Sequence, residues 1–117
     1  MRRLDSLVRR DGPVCTWCGH EPWREDLSVE HLLPRSRGGS GVEANLVVAC
    51  RRCNKQRGSR PVDAYVRALL IEGRAPRLTA LRAALERLTR SPRRAEVAYA
   101  TAQLSRLSRL EPLPTAA

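Results

Sequence analysis

The stretch from Glu30 to Asn54 contains the side chains of this chain that are best suited to chemistry. It begins with a carboxylate beside a histidine, Glu30 and His31, and continues through Asn45 to Asn54. A neutral histidine, with an ordinary pKa of about 6.5, is a suitable general base at cellular pH. Carboxylate and amide oxygens are hard ligands that suit Mg²⁺ or Mn²⁺. Each residue alone would be a weak indication, and the order and spacing of the set make it informative.

Four cysteines enclose this stretch in two pairs, each with two residues between its members: Cys15 and Cys18, then Cys50 and Cys53. This spacing lets both thiolates of a tight turn converge on one ion, and Gly19 permits the bend of such a knuckle. Four thiolates form a tetrahedral set for Zn²⁺, with about 2.3 Å from each sulfur to the ion. Two disulfides, or a structural zinc module without chemistry, are the alternatives. We expect His20 to be a surface histidine rather than a ligand.

The charge of the chain points to a polyanionic partner. The formal net charge is +10 and the pI is about 11.1, and basic side chains gain affinity for nucleic acid by releasing counterions from phosphates. Compositional bias is the alternative, because nearly all the basic residues are arginine. The basic residues that we predict to contact a nucleic-acid backbone are Arg35, Arg37, Arg51, Arg52, Lys55 and Arg57.

Neither a secretory signal nor a membrane span is apparent in the sequence. The chain starts without an apolar run, and no stretch approaches the roughly 20 apolar residues that a membrane span requires. We therefore expect a cytoplasmic protein whose thiols stay reduced, which favours metal over disulfides.

The elements that must position these residues can be predicted from local patterns. Residues 2–10 have helical spacing, and a turn follows at 11–13. Residues 27–33 are β-prone and end at Pro34, residues 35–41 form a flexible basic loop, and 46–49 form a second strand. A helix should follow from Arg51 to Gln56. The predicted fold class is α+β, with a small core held together by zinc because 117 residues without phenylalanine offer little aromatic packing.

The C-terminal half predicts three amphipathic helices. The first begins near Pro61 and ends at Gly73, the second covers residues 78–88, and the third begins at Ser91-Pro92 and continues to residue 110. We expect them to pack together or back onto the core; a homo-oligomer seam or a protein partner is the alternative. The predicted organisation is a core over 1–60, a helical extension over 61–111 and a loose tail over 112–117. Trp17 and Trp23 are predicted to pack locally around the knuckle.

These motifs resemble a known family. The order Cys-x-x-Cys, Glu-His, Pro-Arg-Ser-Arg-Gly-Gly, Asn-Leu and Cys-x-x-Cys-Asn is similar to that of the zinc-knuckle branch of the HNH endonucleases. The resemblance covers residues 9–62, and it implies a ββα-metal fold for this part of the chain. The helical C-terminal extension lies beyond it and is predicted from its own apolar pattern.

The resemblance also implies a function, namely metal-dependent hydrolysis of DNA. It makes His31 the general base and places Asn45 beside the histidine to hold it in orientation. Glu30 and Asn54 become the ligands of a catalytic Mg²⁺ or Mn²⁺, and the four cysteines hold a structural zinc. Glu30 stands where the family more often has aspartate, and Arg57 stands where it often has lysine. We expect Arg57 to clamp a phosphate.

Two other functions remain open at this point. The first is a zinc-dependent module that binds nucleic acid without cleaving it. The second is an adaptor whose helices recruit another enzyme. The complete set Glu30, His31, Asn45 and Asn54 favours the nuclease, because a module that only binds has no need of all four.

Overall fold

The computed structural model describes residues 3–110, and its elements follow the predicted order. The α-helices and strands are α1 (Arg3–Asp11), β1 (Leu27–His31), β2 (Leu46–Cys50), α2 (Arg51–Arg57), α3 (Val62–Ile71), α4 (Leu78–Leu88) and α5 (Arg94–Leu110). Short 3₁₀ turns cover residues 24–26, 35–37 and 43–45. The α+β class with a ββα core and a helical extension is confirmed. The tail predicted over 112–117 lies outside the described residues.

The two strands form an antiparallel hairpin whose faces carry different neighbours. Pairing sets Glu30 opposite Val47 and His31 opposite Leu46, and successive side chains of a strand point to opposite faces. Leu46 belongs to a small cluster with residues of α1, whereas Val47 belongs to the main core. Every residue of β2 is buried. Because β2 is covered on both sides, its run of apolar residues has no polar alternation.

The main core joins the cysteine knuckle to the helical extension. Trp17 of the knuckle is fully buried and meets Tyr65 of α3 edge-on, with 5.0 Å between ring centroids. Leu85 of α4 and Leu107 of α5 are buried in the same cluster. The predicted packing of Trp17 is confirmed, and the extension packs back onto the core.

Side chains of α5 complete the first turn of α3. The residue before that helix is Pro61, which has no side-chain group to cap the free amides of the helix. Instead Val62 N donates to the Tyr99 hydroxyl at 3.0 Å, and Asp63 N donates to Gln103 Oε1 at 2.8 Å. Contacts between distant parts of the chain therefore replace a local cap.

The segment over residues 35–41 differs from the flexible loop that we predicted. It begins with the 3₁₀ turn, and Gly39 N donates to Pro34 O at 3.0 Å. The chain then passes so close to Leu33 that a Cβ on Gly39 would lie 1.7 Å from its carbonyl oxygen. Only glycine fits there, so the segment is a folded turn.

Among the described residues, no helix combines the length and apolarity that crossing a bilayer requires.

Candidate active site

The four cysteines come together as the sequence predicts. The sulfur atoms of Cys15, Cys18, Cys50 and Cys53 all lie within 4.8 Å of one another. Backbone amides support two of them: His20 N donates to Cys18 Sγ at 3.5 Å and Cys53 N donates to Cys50 Sγ at 3.4 Å. Four converging thiol groups suit tetrahedral zinc. The donor set therefore fits a structural Zn²⁺.

The knuckle is attached to both the hairpin and the extension. Thr16 N donates to Val48 O at 2.8 Å, which adds the first cysteine pair to strand β2. From the other side, the Arg74 guanidinium donates to Cys53 Sγ at 3.7 Å. Sequence reasoning did not identify Arg74, because nothing near residue 74 indicates that it reaches a cysteine.

His31 is the last residue of β1 and is half-buried. Its Nε2 is buried and makes no hydrogen bond to any group within residues 3–110. Burial lowers the pKa of the imidazole from its ordinary value, and the nearby cations Arg35, Arg3 and Arg57 lower the pKa further, against an opposing effect of Glu96. A lowered pKa keeps the imidazole neutral at neutral pH. His31 thus has an unused nitrogen that could accept a proton.

Asn45 is fully buried and binds backbone groups rather than the imidazole. Its Oδ1 accepts from Leu33 N at 2.9 Å, while its Nδ2 donates to Leu33 O at 3.1 Å and to Ser40 O at 2.9 Å. The Asn45 carbonyl also accepts from Leu32 N at 2.8 Å. The amide therefore holds both ends of the turn that follows His31.

Glu30 lies on the opposite face of β1 from His31 and is only 5% exposed. Its Oε2 accepts from Trp17 Nε1 at 3.2 Å. Its Oε1 accepts from His31 N at 3.1 Å and lies 3.4 Å from an Arg57 guanidinium nitrogen. Burial raises the pKa of the carboxyl, and Arg57 and Trp17 only partly offset this increase. Both oxygens thus have protein partners in this arrangement.

Asn54 lies on the same side of the hairpin as Glu30. Its Nδ2 donates to Ser28 Oγ at 2.9 Å and to Val29 O at 3.1 Å. These two bonds orient the amide against β1, and Oδ1 makes no hydrogen bond within residues 3–110. An oxygen donor is therefore available next to the strand that carries Glu30.

Arg57 differs from the phosphate clamp that we expected. Its side chain is 1% exposed. The guanidinium donates to His31 O and Leu32 O, each at 2.6 Å, and stacks on the Trp17 ring at 5.2 Å. In this arrangement Arg57 holds the backbone that carries His31, and it has no surface to offer to DNA.

The other predicted nucleic-acid contacts are all exposed, and they fall into two groups. Arg37 and Arg51 are anchored to the backbone, because their Nε atoms donate to Ser59 O at 2.6 Å and Glu25 O at 2.7 Å. The remaining three have neither a hydrogen bond nor an ion pair within the part of the chain that the structure describes: Arg35, Arg52 and Lys55.

Helix α5 contributes two residues near the site that sequence reasoning missed. Glu96 is fully buried, and its Oε2 accepts from Ser40 N at 2.7 Å and from Ser40 Oγ at 2.6 Å. The Tyr99 hydroxyl accepts from Arg57 at 3.3 Å. The available signal in the sequence was an acidic residue at helical spacing from Ala100 and Leu107, which lie on the buried side of α5. It could not identify Ser40 as the partner.

Comparison with known proteins agrees with the motif reading. A model of the HNH endonuclease family matches residues 15–70. The CRISPR-associated endonuclease Cas9 of Corynebacterium diphtheriae is 31% identical over 67 residues, which is 56% of this chain and 6% of that protein. The chain therefore spans only a small part of this relative. The resemblance predicted from the sequence is confirmed: residues 15–70 match the model of the HNH endonuclease family.

Proposed function

We propose that this protein is a metal-dependent DNA endonuclease in which His31 is the general base. The observation that supports the proposal best is the buried, unpaired Nε2 of a histidine whose pKa is lowered. Such an imidazole is neutral at neutral pH and can take a proton from an attacking water. Arg57 binds the carbonyl of His31 and Asn45 binds the amide of Leu33, so the ring is attached to a backbone that is held in place.

Glu30 and Asn54 would hold the catalytic Mg²⁺ or Mn²⁺. Both offer oxygen donors on the same side of the hairpin, which suits a hard cation. The ion would polarise the scissile phosphate and stabilise the leaving oxygen. Because Glu30 is paired with Arg57, the cation and the guanidinium would compete for this carboxylate. Binding of the ion therefore requires that the carboxylate turn from Arg57 or be shared with it.

The strand geometry supports one position for the scissile phosphate. Glu30 and His31 point to opposite faces of β1. One phosphate can reach both side chains only across the end of the strand, where the turn over residues 35–37 begins. Arg35 is exposed there and contributes to lowering the pKa of His31, so its charge lies near the imidazole. We infer that Arg35 contacts the DNA backbone beside the scissile bond.

Plasmid cleavage tests the general base. Wild type should nick or linearise supercoiled plasmid when Mg²⁺ or Mn²⁺ is added and should not do so in its absence. His31→Ala should lower the rate by about 10²–10⁴-fold, which is the usual contribution of a general base. Ile71→Ala, which removes an exposed side chain outside the proposed base, metal ligands and DNA contacts, is the control. Equal cleavage by wild type and His31→Ala would refute the assignment.

Binding of Mn²⁺ tests the metal ligands separately from cleavage. Electron paramagnetic resonance of free Mn²⁺ should show a site on zinc-loaded wild type that Glu30→Gln and Asn54→Ala weaken. His31→Ala should retain it. If Glu30→Gln and Asn54→Ala both bind Mn²⁺ as tightly as wild type, neither residue is a ligand of the ion. Glu30 would then serve only the buried ion pair with Arg57.

A zinc-dependent module that binds nucleic acid without cleaving it is the second candidate. One observation favours it: both oxygens of Glu30 already have protein partners, and the carboxyl is buried. This function predicts that DNA binding persists in wild type and His31→Ala alike, with no cleavage under any divalent ion. The two assays above therefore separate the candidates.

A further inference from the structure

Trp23 is an exposed aromatic residue in a chain that has few of them. The sequence contains two tryptophans, two tyrosines and no phenylalanine. Trp17 and Tyr65 are buried in the core, and the Tyr99 hydroxyl is hydrogen-bonded. Trp23, in contrast, is 79% exposed, so the local packing that we predicted for it is wrong. Its ring makes no aromatic or cation–π contact within residues 3–110.

The backbone that carries Trp23 is held in place. Asp26 N donates to Trp23 O at 2.8 Å, which closes the 3₁₀ turn over residues 24–26. The Arg51 Nε of helix α2 donates to Glu25 O at 2.7 Å and attaches this turn to the nuclease core. The exposed ring therefore projects from a fixed point and not from a loose loop.

A basic pocket lies beside this turn. It has a volume of about 450 Å³ and lies against the cysteine knuckle. Its lining is Cys18, His20, Pro22, Asp26, Cys50, Arg51, Arg52 and Arg74, so Trp23 stands next to the pocket in the chain, beside Pro22, and is not part of its wall. Pockets of roughly 300–1,000 Å³ hold small molecules, so the space beside the cysteines is large enough for a nucleotide. Asp26 is the acidic residue of its lining, and the arginines outnumber it.

The arginines of the pocket differ in their availability. Arg74, which also lines it, already donates to Cys53 Sγ at 3.7 Å and to Gln56 Oε1 at 3.2 Å. Arg52 is exposed and has no hydrogen bond or ion pair in the described part of the chain. A guanidinium of this kind can bind a phosphate through two parallel hydrogen bonds. Arg52 is therefore the cation that is free to do so.

We propose that Trp23 and this pocket bind an unpaired nucleotide, with the base stacked on the Trp23 ring and its phosphate on Arg52. In a duplex each base face is covered by its neighbours, whereas in a single strand the faces are open and stack on aromatic rings. The proposal deepens the nuclease function, on which it rests, by specifying a substrate with an unpaired segment near the cleavage site.

Tryptophan fluorescence tests the proposal directly, because the two tryptophans differ so strongly in exposure. Zinc-loaded full-length protein, without added Mg²⁺ or Mn²⁺ so that DNA is not cut, is titrated with short oligothymidylate and with a hairpin duplex at one salt concentration. Single strands should quench the emission of exposed Trp23, and the duplex should quench it far less. The buried Trp17 supplies a constant background, which Trp23→Tyr measures.

Variants test whether stacking supplies affinity. Trp23→Ala should weaken single-strand binding about tenfold or more, and Trp23→Tyr should restore most of it, because a stacked base depends on the ring. Arg52→Ala should weaken binding through the phosphate. Ile71→Ala is the matched control, since that side chain is 80% exposed and also apolar. Wild-type affinity in Trp23→Ala, or equal quenching by duplex and single strand, would overturn the proposal.

These readouts are independent of the nuclease assignment. If no plasmid is cleaved under any ion but Trp23→Ala still loses single-strand affinity, the nucleotide site stands and the catalytic function fails. If His31-dependent cleavage is found but Trp23→Ala binds single strands as tightly as wild type, the nucleotide site fails alone.

Discussion

Arg57 shows how one buried side chain determines the geometry of the site. Its guanidinium binds the carbonyls of His31 and Leu32, pairs with Glu30 and stacks on Trp17. A planar group with several donors in a rigid fork can serve all these partners at once, which a lysine ammonium cannot do. The residue therefore links β1, the knuckle and α2 through a single charge.

Replacement of Arg57 should affect stability before it affects DNA binding. Arg57→Leu leaves the buried Glu30 carboxylate without its cation and two carbonyls without donors. Breaking a buried ion pair in this way costs about 3–5 kcal/mol. Urea unfolding of the zinc-loaded protein measures the loss. Lys55→Ala, an exposed cation of the same helix, should change the free energy of unfolding by less than about 0.5 kcal/mol.

A double variant tests whether the unpaired charge of Glu30 causes the loss of stability in Arg57→Leu. Because Glu30→Gln removes the buried negative charge, Arg57→Leu combined with Glu30→Gln should be more stable than Arg57→Leu alone. If Arg57→Leu instead unfolds like wild type and binds DNA more weakly, the guanidinium faces the DNA as the sequence led us to expect.

At the scale of elements, α5 supports the turn that follows His31. Glu96 accepts two hydrogen bonds from Ser40 and a third, at 2.6 Å, from Ser91 Oγ. Burial by itself raises the pKa of this carboxyl, but the hydrogen bonds from Ser40 and Ser91 outweigh burial, and the net pKa is lowered. The turn that starts beside the proposed base is thus fastened to the last helix.

Glu96→Gln should destabilise the protein in a pH-dependent way. The pKa of the folded-state carboxyl is below its ordinary value of 4.5, so its contribution is complete above that value and is lost as pH falls through the folded pKa. Urea unfolding should show wild type more stable than the variant by about 1–3 kcal/mol at pH 7. The gap should narrow as pH falls below 4.5. A gap that stays constant with pH would show that the ionised carboxylate is not responsible.

The cysteine knuckle predicts that zinc is required for folding. The four sulfurs come from segments on either side of the hairpin, and their apposed thiolates need a cation between them. Removal of zinc by a strong chelator should abolish cooperative thermal unfolding followed by circular dichroism, and added Zn²⁺ but not Mg²⁺ should restore it. Cys50→Ser should bind less zinc by mass spectrometry. A zinc-free protein with an unchanged melting curve would argue against a structural ion.

At the scale of the whole molecule, one buried core contains residues from both sides of the predicted domain boundary near residue 60. Trp17, Val47, Leu85 and Leu107 belong to one buried cluster. Small chains bury little surface in any case, so a core of this size gains much of its stability from the helices after residue 60. We therefore propose that the core and the extension fold as one unit.

Truncation tests that proposal. A chain ending at Gly73 should lack a cooperative unfolding transition even when loaded with zinc, because α4 and α5 supply part of the main core and α5 carries Glu96 and Tyr99. Denaturant titration with the full chain as control provides the measurement. A truncated chain that unfolds cooperatively and still cleaves plasmid would establish residues 1–73 as an independent nuclease core.

Most elements of this fold could be predicted from local patterns in the sequence. The paired cysteines, the β-prone run ending at Pro34 and the helical spacing of apolar residues after Pro61 all act locally. The burial of Arg57 and the attachment of Ser40 to Glu96 depend on residues far apart in the chain, and no local pattern specifies such partners. Trp23 was mispredicted for a related reason: large apolar residues are usually buried, and only the tertiary structure shows which one is not.

The capping of α3 by Tyr99 and Gln103 has a consequence for how the protein is made. During synthesis the knuckle, the hairpin and His31 leave the ribosome well before α5 does. Until α5 arrives, the first amides of α3 lack their acceptors and the turn after His31 lacks Glu96. The nascent chain can therefore collect its zinc while the turn beside the proposed general base still lacks its support. If the proposed function is correct, cleavage should begin only after α5 has docked.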